Sequence, residues 1–238
     1  MRILLALGMA LVLLLSGCSE KLARQTNLTD ADLFARGQKN VERKKYGNAA
    51  EAFQVLLERF PASPFAGRAQ FLLAVSRMET RENIEAEVAF DDFLRLYPAD
   101  PRVPEALYLK GKLLSRQVQI PERDQSKTRD AIKAYSLFLE KAPGSPLVPE
   151  VAAKIRDLRN RLALHEADVT RHYIRRKLYE SAEVRSRRAL AEYPDVPATP
   201  ELLSLLAQAL EKEGKTEASV QARRSLAEKF PGYGGKKR

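Results

Sequence analysis

The 238-residue chain contains no tryptophan, one cysteine and two histidines. With Cys18 alone, no intramolecular disulfide can form. His165 and His172 are too few for a Cys/His metal cluster, and His165-Glu166 does not open a zinc-binding helix, because Val169 stands where the second histidine would be. No nucleophile stands in a recognisable pattern with an acid–base pair, so the expectation is no catalytic residue, no metal ligand, no cofactor and no enzymatic activity. Long apolar runs are also scarce. The run from Ile3 to Leu15 is 13 residues, short of the roughly 20 a helix needs to cross hydrocarbon, which argues against a permanent transmembrane span. Finally, neither glycine nor proline occurs between Pro149 and Pro194, so that stretch has none of the usual punctuation of a turn.

What is present begins with Met1-Arg2, the apolar run, and Leu15-Ser16-Gly17-Cys18. One positive charge, a short apolar core and small residues before a cysteine read as a secretory signal peptide over residues 1–17. Leu-Ser-Gly-Cys resembles the bacterial lipobox. That resemblance implies cleavage before Cys18, diacylglycerol on its thiol and an acyl chain on its new amine. Three acyl chains exceed the two signals that stable anchoring requires. By the same resemblance, Ser19 in place of Asp points to the periplasmic face of the outer membrane. Residues 18–30 are the lipidated cysteine and a flexible linker. Ser19 to Asp30 spans at most about 40 Å when extended.

Charged residues make up 30% of the chain, and Ala, Leu, Arg and Glu dominate, a composition that favours helix. The expected class is all-α. The formal charge of +10 falls to +9 when Arg2 leaves with the signal peptide, which disfavours basic partners. A basic chain could suit nucleic acid, but an exported lipoprotein does not meet it, and no nucleic-acid partner is expected.

Self-similarity organises the rest. Tyr46, Ala49, Phe53 and Pro61 define a spacing that recurs at Asn83, Ala86, Phe90 and Pro98, at Thr128, Ala131, Tyr135 and Pro143, and at Tyr179, Ala182, Ser186 and Pro194. A degenerate fifth copy runs Thr216, Ser219, Arg223 and Pro231, with Gly214 before it. Offsets of three and seven lie on one helical face, and the proline marks where that helix has ended. Gly37, Ala74 and Gly111 fall at steps of 37, small residues where a second helix can approach the first. Each unit is thus a helical hairpin. Ser63, Asp100 and Ser145, each followed by proline, are the expected N-caps of the following helices.

Two intervals break the rhythm. Pro98 to Pro143 is 45 residues, and its surplus falls on the loop-like stretch 117–125. Pro143 to Pro194 is 51 residues, and Val148, Val151, Ile155, Leu158 and Leu162 continue a helical stripe toward Val169 and Tyr173. A lengthened, protruding helix is expected in the fourth hairpin. The array covers residues 31–232, followed by a basic tail at 233–238.

A small-residue first helix followed by Tyr-x-x-Ala-x-x-x-Phe and a terminal proline resembles the tetratricopeptide repeat, which implies a superhelix of about five hairpins. The chain further resembles the BamD family, lipoproteins of the outer-membrane β-barrel assembly machinery. Phe90-x-x-Phe93, Leu96-Tyr97-Pro98 and Asp124-Gln125 carry part of that likeness. The specific part is Arg161-Leu162-Ala163 with Glu166, Val169, Tyr173, Arg175, Tyr179, Ala182, Arg185 and Tyr193-Pro194. The resemblance implies a scaffold whose carboxy-terminal repeats dock the periplasmic domains of the barrel-forming subunit. Its amino-terminal repeats would engage other assembly lipoproteins or unfolded outer-membrane substrates. The alternative is another periplasmic tetratricopeptide adaptor, serving cell division, secretion or a cell-wall enzyme.

Two surfaces are candidates. Phe34, Phe71 and Tyr108 also step by 37, and in the tetratricopeptide arrangement they face the concave groove. They either line a peptide groove with Arg68 and Lys112, or fill space between helices. The second surface is basic: Lys154 to Arg188 holds 11 Lys or Arg against five Asp or Glu. Arg175, Arg176, Arg185, Arg187 and Arg188 are its expected partner-binding cations, either steering an acidic partner or forming a solvated face that also complements a helix dipole.

Overall fold

The computed structural model describes residues 27–121 and 123–233. The signal peptide, Cys18, most of the expected linker, and the tail from residue 234 lie outside the described residues. Among the described residues there are ten α-helices and no strand. They are α1 Asp30–Glu42, α2 Tyr46–Arg59, α3 Ala66–Glu79, α4 Asn83–Leu96, α5 Val103–Ser115, α6 Ser126–Lys141, α7 Val148–Arg175, α8 Tyr179–Glu192, α9 Thr199–Lys212 and α10 Thr216–Lys229. The architecture is a succession of five tetratricopeptide-type helix pairs. The chain divides into two compact units, Met1–Leu113 and Leu114–Arg238.

The repeat spacing determines the second helix of each pair. α2, α4, α8 and α10 begin on the first residue of their repeat, Tyr46, Asn83, Tyr179 and Thr216. Ala49, Phe53, Ala86, Phe90, Ala131, Tyr135, Ala182 and Ser186 are fully buried, each large apolar side chain contributing about 1.5–3 kcal/mol. Each of these helices closes on the residue before a proline. Phe60, Tyr97, Ala142, Tyr193 and Phe230 each donate a backbone N–H to the carbonyl four residues back, and the proline cannot continue the ladder.

The turn inside four of the pairs is the same Schellman motif. Lys45, Glu82, Leu178 and Lys215 each donate a backbone N–H to the carbonyl five residues back. The residue before each has positive φ: Lys44 at 55°, Arg81 at 64°, Lys177 at 58° and Gly214 at 79°. Only at Gly214 does the residue adopt that conformation without a Cβ penalty.

The caps between pairs differ from the sequence expectation. Ser63, Asp100 and Ser145 do not cap helices directly; α3, α5 and α7 start three residues further on. Their side-chain oxygens instead accept the backbone N–H two residues ahead, from Phe65 at 3.1 Å, Arg102 at 2.9 Å and Leu147 at 3.2 Å. The prolines therefore sit in a tight turn that precedes each helix. The α1 start does carry a true capping box, Thr29 with Asp32, and Ser63 Oγ donates to Asp30 at 2.7 Å, tying that end to the next turn.

α7 has 28 residues, about 42 Å of helix. It is lengthened as expected but packed rather than protruding. Val151, Leu158, Leu162, Ala163, Ala167 and Thr170 are buried along it, and α6, α8 and α9 all pack against it. Among the described residues no helix is long and apolar enough to cross a membrane.

Candidate docking surfaces

In the amino-terminal unit, Phe34 and Phe71 are only 5% and 6% exposed. Phe34 stacks on Phe65 at 4.8 Å and meets Phe53 at 6.0 Å; Phe71 packs on Phe93 at 5.5 Å. Of the two readings, these rings follow the one that fills space between helices, because Phe65 at the start of α3 lies against Phe34 and Phe93 of α4 lies against Phe71. What the surface presents instead are the cations above them. The Arg68 guanidinium lies 5.3 Å from the Phe34 centroid, and that of Arg102 lies 5.9 Å from Phe71. Asp100 holds Arg102 there at 2.6 Å, and this hydrogen bond keeps the Asp100 carboxyl below its ordinary range. Tyr108 and Lys112 on α5 are half-buried.

The basic region of the carboxy-terminal unit separates into paired and unpaired cations. Arg185 bridges α8 to Glu166 of α7 at 2.6 Å, and Arg187 pairs with Glu183 at 2.7 Å. Arg159 reaches Asp195 and the Glu192 carbonyl, while Arg171 pairs with Asp168 and Glu201. Lys215 donates to both Glu183 and Glu213. The Lys215 and Arg187 hydrogen bonds hold the Glu183 carboxyl below its ordinary value. Arg185 and Arg187 are thus engaged in ion pairs within the fold. Arg175, Arg176 and Arg188 are exposed and have no acidic partner within salt-bridge distance among the described residues.

Arg188 borders a surface cleft of about 360 Å³ between α7 and α8, lined by Glu166, Tyr173, Glu180, Ser181, Val184, Arg185 and Arg188. Val184 is 63% exposed, and the neighbouring Leu178 is 49% exposed. The cleft therefore places exposed apolar area of Val184 beside an unpaired cation, Arg188, and the carboxylates of Glu166 and Glu180. Sequence reading missed Val184 and Leu178. Val184 was detectable, since it is five residues past Tyr179 and so falls off the buried spacing of its own repeat.

The loop between α5 and α6 is held in place largely by side chains. Gln125, 2% exposed, donates to the Ile120 and Arg123 carbonyls at 2.9 and 3.0 Å and accepts from Thr128. Arg161 donates to the Gln119 carbonyl at 3.0 Å. His165 lies 2.5 Å from the Pro121 carbonyl, which can only accept, so Nδ1 carries the proton. Two residues of the family-like stretch, Arg161 and the neighbouring His165, are thereby accounted for as loop anchors. Among the described residues no group of His, Cys, Asp and Glu is placed to hold a metal ion.

Several known proteins have sequences similar to this one. A relative from Neisseria meningitidis named outer membrane protein assembly factor BamD is 28% identical over 209 residues, covering 84% of this chain and 78% of its own length. Proteins of the same name from Xylella fastidiosa and Haemophilus influenzae are 24% and 25% identical. They cover 97% and 87% of this chain, and 83% of their own lengths in both cases. The family model for YfiO, described as outer membrane lipoprotein, matches residues 26–226. With a match running from before α1 into α10, the chain belongs to the YfiO family of outer membrane lipoproteins.

Proposed function

We propose that this chain is a non-enzymatic scaffold of the outer-membrane β-barrel assembly machinery, held at the periplasmic face of the outer membrane by lipid on Cys18. In this reading the α7–α8 cleft receives the periplasmic domains of the barrel-forming subunit. Arg68, Tyr108 and Lys112 of the amino-terminal unit belong to the surface that meets unfolded substrates or other assembly lipoproteins. Family membership and the assembly-factor names of the relatives support the process. The cleft supports the docking face, and the observation that carries it is the juxtaposition of Val184, Tyr173 and the unpaired Arg188.

Co-purification from solubilised outer membrane tests this reading. Val184→Glu with Arg188→Glu is expected to lower recovery of the barrel-forming subunit at least about tenfold, the scale of one interface anchor. The melting temperature is expected to stay unchanged, since both side chains are exposed. Arg185 is the wrong residue to reverse, because a glutamate there would face Glu166 and disturb the fold itself. Undiminished recovery, or recovery of cell-division or cell-wall proteins without the barrel-forming subunit, would refute the assignment.

A further inference from the structure

The five second helices are built on one repeat, so each serves as a control for the others. Counted from the first residue of the repeat, positions one and five further on lie off the buried spacing. On α2 these are Gly47 and Glu51, on α6 Arg129 and Lys133, on α8 Glu180 and Val184, and on α10 Glu217 and Gln221. The fold therefore needs no apolar side chain at either place. On α4 both are apolar and exposed: Ile84 is 74% and Val88 54% exposed, and Leu96 at the end of the helix is 52% exposed.

The setting of this pair is acidic in a chain of net charge +10. At 100° per residue, Glu87 and Asp91 flank Ile84 and Val88 on one side, and Glu85 and Asp92 flank them on the other. Arg95, paired with Asp92 at 2.6 Å, is the single basic residue of the helix, and Lys110 of α5 pairs with Asp91. Glu85 has no ionic partner among the described residues.

From this we infer that the exposed face of α4 is a docking surface for a basic amphipathic segment of a partner protein. Apolar side chains one helical turn apart on that segment would cover Ile84 and Val88, and flanking Lys or Arg would meet the acidic borders. An anionic membrane would be repelled by the same acids. The inference rests on the scaffold reading only in requiring a partner, and it places that partner on a face distinct from the α7–α8 cleft.

Fluorescence titration of the purified full chain tests it with three synthetic 14-residue probes: an amphipathic Leu/Lys helix, its Leu/Glu counterpart, and a scramble of the first. The Leu/Lys helix is expected to bind, with the other two at least tenfold weaker. Ile84→Glu with Val88→Gln, which installs the side-chain types of α10, is expected to weaken the Leu/Lys probe about tenfold, as loss of part of two apolar contacts implies. Val184→Gln is expected to leave that binding unchanged, and the α4 variant to leave recovery of the barrel-forming subunit unchanged. Equal binding of the Leu/Lys probe by parent and α4 variant overturns the proposal. So does a parent dimer that dissociates in the α4 variant on sedimentation, which would make the occupant a second copy. Loss of the barrel-forming subunit by the α4 variant overturns the separation of the two faces, while failure of the cleft variants alone leaves it standing.

Discussion

Gly37 and Gly47 offer the same substitution with opposite expected signs. A Cβ built on Gly37 would lie 2.3, 2.6 and 2.8 Å from three ring carbons of Phe53. The ring is 0% exposed and also packs on Phe34. Reaching ordinary contact at 3.4 Å requires a displacement of about 1 Å, and a fully buried ring has no solvent side to swing toward. Overpacking of this kind costs about 1–3 kcal/mol, against about 1 kcal/mol gained when alanine replaces glycine inside a helix. Gly37→Ala is thus expected to destabilise by up to about 2 kcal/mol. Gly47 on α2 has nothing within 4 Å of such a Cβ, so Gly47→Ala is expected to stabilise by up to about 1 kcal/mol. The assay is urea unfolding followed by circular dichroism, with amide exchange of α1 and α2 read alongside because repeat arrays do not always unfold in one step. Phe53→Leu is expected to abolish most of the penalty at Gly37. A Gly37→Ala variant that unfolds at a higher urea concentration than the parent would refute the reasoning.

The Schellman turns supply a second test: Arg81→Gly is expected to stabilise by about 0.5–1 kcal/mol by removing a side chain from positive φ, and Gly214→Ala to destabilise by about 1 kcal/mol, both read from thermal melts. A third concerns pH. Glu183 has a folded pKa below its unfolded value, so its contribution is present above the ordinary carboxylate range, near pH 4.3, and is lost as pH falls through the lower folded value. The Glu183→Gln variant is accordingly expected to lose less melting temperature than the parent between pH 5 and 3, and parallel curves would remove the Lys215–Glu183–Arg187 network from the account.

The helix pairs were readable in advance because a repeat states its own register: Tyr46, Asn83, Tyr179 and Thr216 open helices, and the prolines follow their ends. The small residue at Gly37 was readable for the same reason, being where Phe53 must fit. Features that depend on which side chains meet across helices were not. Phe34 and Phe71 occupy the right face of their helices, but the side chains that close over them, Phe65 and Phe93, lie 31 and 22 residues away. A charge count likewise cannot anticipate that Arg185 would be taken by Glu166 across the α7–α8 pair while Arg188, three residues on, would not. The displaced caps have a local cause: Pro64, Pro101 and Pro146 fit a one-turn bend as well as the first turn of a helix.

The loop after α5 separates the residues that set its path from those it displays. Its path is determined by Gln125, Arg161 and His165, which grip the backbone carbonyls of Gln119, Ile120, Pro121 and Arg123. The residues at its tip, including Ile120 at 56% exposure, are therefore released from any duty to hold the loop in place. A tip held from outside can change its exposed side chains while its backbone keeps the same course, so the loop's surface chemistry and its position are set by separate residues.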